Sequence, residues 1–218
     1  MLFGKCVTKP ALEVEDGAEI SVISEEIYVS RGAYKLEGAD REFDFEIKGK
    51  KCIDVGASSG GFTDYLLKHG AECVIALDCG SGQLALSLRD DPRVTVVENY
   101  NARYMKSEDF DYSPDLAVMD VSFISATFII PALYNVLSDG ADFICLIKPQ
   151  FEVGRSGIGK GGIVRDEKTR LSALEKVTSF ARDVGFECIK TTVSPIKGGD
   201  GNVEFLAHFR KNTQEGII

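Results

Sequence analysis

No apolar run in this 218-residue chain approaches the ~20 residues needed to cross a bilayer; the strongest, Phe143 to Ile147, is only strand-sized. The first residues, Met1 to Lys9, lack the apolar core of a signal peptide. Among six cysteines (Cys6, Cys52, Cys73, Cys79, Cys145, Cys188) there is no C-x-x-C pair, and four lie in apolar, strand-like surroundings. They read as reduced thiols of a cytoplasmic protein, with neither a disulfide framework nor a metal site. A basic surplus is missing as well: 34 acids face 25 Lys and Arg, a net charge of −9. That balance weighs against a broad polyanion-binding face. No internal repeat is visible.

What is present centres on Lys51 to Asp64, KCIDVGASSGGFTD. It reads as a buried strand (Cys52, Ile53, Val55), a glycine-rich turn, and the start of a helix running from Phe62 to His69. Gly56, Gly60 and Gly61 permit positive φ and a close approach of ligand to backbone, and the helix would aim its free N–H groups at that ligand. The spacing is G-x-x-x-G-G, with Ser58 where a dinucleotide fold has its second glycine. Asp54 would repel a pyrophosphate and suit a cation. A ligand that is partly cation and partly carboxylate, such as S-adenosylmethionine, fits better; a ligand-free glycine turn is the plain alternative.

The rest of the chain falls in order around this turn. Met1 to Ile27 is short, acidic and β-like (Glu19 to Ile23 alternates), with two bases against six acids up to Ser30. It is too small to hold a core alone. After Gly32 a helix is expected, with Tyr34, Leu36 and Ala39 at amphipathic spacing and Arg31 and Lys35 on one face. Strands are expected over Cys73 to Asp78, Val94 to Glu98, Asp115 to Asp120 and Asp142 to Lys148. The last is apolar throughout, as in a strand covered on both faces. Helices are expected over Gln83 to Arg89, Ile124 to Leu137 (bent by an interior Pro131) and Glu167 to Val184. Between them, Gln150 to Val164 forms a glycine- and base-rich loop. From Lys148 to Arg170, six bases oppose three acids, a surface that permits phosphate contact through Arg155, Lys160 and Arg165. Phe186 to Ser194 and Val203 to Phe209 read as a hairpin joined by KGGDGN, and the tail from 213 to 218 as frayed. The fold class is α/β: a doubly wound, mostly parallel seven-stranded sheet with a C-terminal antiparallel hairpin.

Such sheets bind ligands at the carboxyl ends of their strands. Gly56, Asp78, Asp120 and Lys148 would meet there. Asp78 stands where a carboxylate accepts the ribose hydroxyls of an adenosine cofactor, with Asn101 on the adenine side. Lys35, Asp120, Lys148 and Glu204 are hard to explain by packing, although strand-end solvation or satisfied structural carboxylates would account for each singly. Together they form a charge-balanced set suited to activating a hydroxyl toward methyl transfer. A lysine serves as base only if desolvation or a neighbouring cation lowers its pKa, and Lys35 near Lys148 would supply the second effect.

Five colinear motifs resemble those of the TlyA group, the hemolysin-named, FtsJ-like ribosomal RNA 2′-O-methyltransferases. They are Ser30-Arg-Gly-Ala-Tyr-Lys-Leu36, Asp54-Val-Gly-Ala-Ser-Ser-Gly-Gly-Phe-Thr63, Asp120-Val-Ser-Phe-Ile-Ser125, Lys148-Pro-Gln-Phe-Glu152 and Gly201-Asn-Val-Glu-Phe205. The resemblance implies a Rossmann-like class I methyltransferase over residues 28 to 212. It further implies a catalytic Lys35, Asp120, Lys148 and Glu204, and S-adenosylmethionine held by Gly56 to Phe62 with Asp78 on its ribose. The acceptor it implies is a ribose hydroxyl of ribosomal RNA, and Arg31 is expected on the RNA side. Residues 1 to 27 resemble only the β part of the small RNA-binding domain that begins such proteins, which implies a truncated chain. Two other readings remain: a membrane-active hemolysin, disfavoured by the missing spanning segment and basic amphipathic helix, and a cofactor-binding protein without catalysis.

Overall fold

The structure, a computed structural model, describes residues 17–18, 27–154 and 157–213. Nearly all of the expected N-terminal β segment and of the polar tail, and Arg155, lie outside the described residues.

Strands form where apolar residues alternate or run together. They are β1 (Lys51–Val55), β2 (Cys73–Leu77), β3 (Val94–Val97), β4 (Leu116–Met119), β5 (Asp142–Ile147), β6 (Phe186–Val193) and β7 (Phe205–Lys211). They make one sheet in the order β3-β2-β1-β4-β5-β7-β6. The first five are parallel, and β7 lies antiparallel to both β5 and β6. The period of two sends alternate side chains to opposite faces. Cys52, Val74, Val118 and Ile144 face one apolar cluster with Leu36, Tyr65, Leu66 and Leu88. Ile53, Ile75, Met119 and Phe143 face another with Leu133, Val177 and Ala181. Helices α1 (Ala33–Glu42), α2 (Gly61–Lys68) and α3 (Leu86–Arg89) therefore cover one face. Helices α4 (Ile130–Val136) and α6 (Glu167–Val184) cover the other. Full burial of a side chain such as Ile53 or Leu66 contributes about 2 kcal/mol.

The expected α6 has the boundaries observed. Asp166 caps it by accepting the Thr169 N–H at 2.8 Å, and Gly185 (φ 120°) takes the conformation that ends it. Other expectations need correction. Pro131 does not bend a helix from Ile124; it sits in the first turn of α4, where its missing N–H costs nothing, after a 3-10 turn over Ala126–Phe128. The helix expected over Gln83 to Arg89 is only the single turn of α3. The first residues of the expected 150–164 loop belong to a turn of helix, α5 (Pro149–Glu152). Glu204 is not inside the last strand but immediately precedes it.

That last correction is what positions the site. Ile147 pairs with Phe205 in the antiparallel β5–β7 register, so Lys148, leaving β5, and Glu204, entering β7, sit at the same end of the sheet. Strand β4 runs parallel to β5 and ends with Met119, which delivers Asp120 to that edge too. Among the described residues no helix is long and apolar enough to cross a membrane, and no group of three or more His, Cys, Asp and Glu residues could hold a metal ion.

Candidate active site

The glycine turn is built by sterics before any ligand is considered. Gly56 has φ 86°, and a Cβ there would lie 2.6 Å from the Asp120 carbonyl oxygen, so only glycine lets the ends of β1 and β4 approach this closely. Gly60 has φ 94°, with the Leu88 side chain 2.3 Å from its notional Cβ. At Gly61 that Cβ would meet Ser30 Oγ at 2.3 Å. Ser58 is held in the left-handed region (φ 48°) by its N–H, which donates to Asp78 Oδ2 at 2.8 Å. Asp78 Oδ1 accepts the Gly80 N–H at 2.7 Å. Asp78 thus braces the turn, and each carboxylate oxygen keeps a further lone pair for a ribose hydroxyl.

Asp54 lies under the turn rather than in its cavity. It is fully buried, and its Oδ2 accepts both the Thr63 N–H (2.9 Å) and the Thr63 hydroxyl (2.7 Å), while Oδ1 has no partner. Burial pushes its carboxyl up to about 7, against the two Thr63 hydrogen bonds that favour the charged form. Asn101 is exposed and accepts the Arg103 N–H at 3.0 Å, capping the turn after β3.

Beside the turn opens a cavity of about 320 Å³ whose walls include Arg31, Lys35, Ser58, Gly61, Phe62 and Asp120. Arg31, expected on the RNA side, lines this first cavity. A second cavity, of about 340 Å³, is lined by Lys35, Phe123, Lys148, Phe151, Asp200 and Glu204 among others. The two share Lys35 and Gly199, so the four charged residues form the partition between them.

Their contacts are continuous. Lys35 Nζ lies 2.8 Å from Glu204 Oε2 and 3.4 Å from Asp120 Oδ2. Lys148 Nζ lies 2.5 Å from Asp120 Oδ1 and donates to Ser122 Oγ at 2.7 Å. Gln150 Nε2 donates to Glu204 Oε1 at 3.4 Å, and the backbone at Gly198 passes so close that a Cβ would lie 2.5 Å from that oxygen. Glu204 is buried, the Lys35 and Lys148 side chains are only about a tenth exposed, and all three line the second cavity.

Several residues in these walls carried no role in the sequence. Phe123 is 92% exposed with φ 65°, and its ring centroid is 5.3 Å from that of Phe151, at the mouth beside Lys148. The KGGDGN connection is more than a turn: Lys197 and Gly199 line the first cavity, and Gly198, Gly199 and Asp200 the second. Buried Asn202 ties it to the glycine-rich loop, accepting the Val164 N–H and donating to the Gly162 carbonyl, both at 3.0 Å. Polar and aromatic residues directly after strands β4 and β5 were the available signal. Lys160 and Arg165 are exposed on the glycine-rich loop, outside both cavities.

A five-strand parallel sheet carrying an antiparallel β7 between β5 and β6, with a glycine turn after β1, defines a Rossmann-like methyltransferase. The fold agrees with that of Aeropyrum pernix fibrillarin bound to S-adenosyl-L-methionine (TM-score 0.59, 15% identity, 81% of this chain and 75% of that one). The chain belongs to the FtsJ-like methyltransferase family, whose model matches residues 28–211. It is 47% identical to Hemolysin A of Brachyspira hyodysenteriae over 94% of this chain and 86% of that protein. It is 44% identical to the 16S/23S rRNA (cytidine-2'-O)-methyltransferase TlyA of Mycobacterium tuberculosis over 98% of this chain and 81% of that protein. A hemolysin-named solved structure from Streptococcus thermophilus, 48% identical, superposes with a TM-score of 0.85 over 94% of this chain and 74% of that one.

Proposed function

We propose that this chain transfers the methyl group of S-adenosylmethionine to a ribose 2′-hydroxyl of ribosomal RNA. The observation that carries the reading is the pair of cavities meeting at Lys35, with Asp120 facing the first and Lys148 and Glu204 facing the second. Donor and acceptor would approach from opposite sides of one charged partition, which is what an in-line displacement needs.

The first cavity fits the donor. Gly61 lets the 30–33 segment pack directly against the turn, Arg31 offers a cation for the carboxylate, and Asp120 a negative charge near the sulfonium. Bound there, S-adenosylmethionine supplies an electrophilic methyl carbon. Asp78 would hold its ribose and Asn101 the edge of its adenine, with Gly56, Ser58, Gly60 and Phe62 shaping the turn and Asp54 supporting it from below.

In the second cavity Lys148, once its ammonium has given up a proton to solvent, would orient the acceptor hydroxyl and take its proton as the hydroxyl oxygen accepts the methyl group. Asp120, between two ammonium groups, fixes Lys148. Glu204 holds Lys35 against Asp120. Phe123, beside Phe151, offers a face for the acceptor base. Lys160 and Arg165 extend a basic edge toward RNA phosphates.

The test is isothermal calorimetry with S-adenosylmethionine, together with mapping of 2′-O-methyl groups on ribosomal subunits. Lys148→Ala should bind the donor as the parent does and lose at least about 100-fold in methylation rate. Full activity in that variant would remove the reading. The hemolysin names of relatives are addressed by the same preparation on liposomes, where leakage at enzyme-level concentration would favour membrane action.

A further inference from the structure

Glu152 is the buried carboxylate the chemistry above leaves unused. It ends α5, four residues after Lys148, and is only 7% exposed. Its Oε1 accepts the Ala126 N–H at 2.7 Å, and its Oε2 accepts the Ser125 hydroxyl at 2.5 Å. Lys176, from the middle of α6, reaches across with Nζ 3.2 Å from Oε2 and 2.8 Å from the Glu152 carbonyl oxygen. One carboxylate thereby ties together the segment after β4, the segment after β5 and the longest helix.

The two segments it ties are those that carry the acceptor side of the site. Ser125 and Ala126 start the 3-10 turn that follows Ser122 and Phe123. Phe123 is held in the left-handed region (φ 65°) and Ser122 Oγ is the acceptor of the Lys148 ammonium. Phe151, next to Glu152, stands 5.3 Å from Phe123. A left-handed phenylalanine with 92% of its surface in solvent has little besides the Phe151 ring to hold it there. The backbone just beyond it is anchored by Glu152.

We propose that Glu152, charge-balanced by Lys176, is the positioning residue for the acceptor half of the site. It sets the Phe123 ring and Ser122 against Lys148 and leaves the donor cavity untouched. A carboxylate is needed rather than an amide, because all three interactions with the side chain come from donors: an N–H, a hydroxyl and an ammonium. An amide would present its own NH2 to one of them.

The inference rests on the methyltransferase reading, and a double-mutant cycle on ribosomal subunits separates the two. Glu152→Gln should lower kcat/KM for ribosomal RNA by about tenfold, as loss of one base-stacking contact would, while the donor Kd from calorimetry stays within about twofold. Phe123→Ala should cost a similar factor. In the Phe123→Ala background, Glu152→Gln should then add less than about twofold, since both act through one ring. Lys176→Met, a half-exposed and gentler change, should shift kcat/KM in the same direction and retain cooperative unfolding; Glu152→Asp should recover part of the loss. Multiplying losses in the double mutant, or donor affinity falling in parallel, would overturn the proposal. A parent protein that binds donor but methylates no ribosomal RNA would instead overturn the functional reading.

Discussion

Lys35 Nζ stands 2.8 Å from Glu204 Oε2, across 169 positions of chain, and both side chains are buried. The pair is buried but not isolated, because Asp120 lies 3.4 Å from the same ammonium. Truncating one partner leaves a charge without its counterion in a poorly solvated place.

Glu204→Ala should therefore cost about 3 kcal/mol, or roughly 10 °C in Tm, and abolish methylation. A Lys35→Met, Glu204→Leu double variant should regain most of that stability and none of the activity. Thermal melts beside a methylation assay check both. Recovery of activity in the double variant would contradict a role for the pair in chemistry.

Gly60→Ala is expected to weaken S-adenosylmethionine binding by at least about tenfold and to cost about 2 kcal/mol, since alanine is strained at φ 94° and its methyl meets Leu88. Gly154 has open space around it, and Gly154→Ala serves as the comparison, with donor affinity equal to the parent's. Calorimetry decides; equal affinities in the two variants would show that the turn does not cradle the donor.

The fully buried Asp54 makes stability depend on pH. Burial raises its folded-state pKa to about 7, above the unfolded value near 4. The unfolded chain thus loses its proton first, so this group's contribution is fully present below about pH 4 and is lost as pH rises through 7. Asp54→Asn removes the dependence: its Tm, relative to the parent's, should climb between pH 5 and pH 8, since the amide oxygen can still accept from Thr63. Parallel Tm curves across that interval would refute the assignment.

Much of this was legible in the residues, for a physical reason. Strands β1, β2, β4 and β5 are buried on both faces, and only apolar runs satisfy that condition, so their positions and their charged ends stand out. Lys35, Asp120, Lys148 and Glu204 were visible because charge beside apolar residues is costly without a purpose. Pro131 was misplaced because a proline in an apolar stretch suits a helix's first turn as well as its bend, and the 3-10 turn before it decides between them. Phe123, Asn202 and Glu152 took no role because their work is defined by partners: the ring by Phe151, the amide by Val164 and Gly162, the carboxylate by Ser125, Ala126 and Lys176. Arg31 was assigned through its motif, and its place in the wall of the first cavity depends on residues distant in sequence, such as Asp120 and Gly199.

Among the described residues strand β7 follows every other strand, yet it sits inside the sheet, hydrogen-bonded to β5 on one side and β6 on the other. The sheet therefore holds together only once β7 is in place between β5 and β6. Glu204, which opens it, is the final member of the charged set to reach its place. One segment thus both joins the outer strand β6 to the rest of the sheet and completes the charged set.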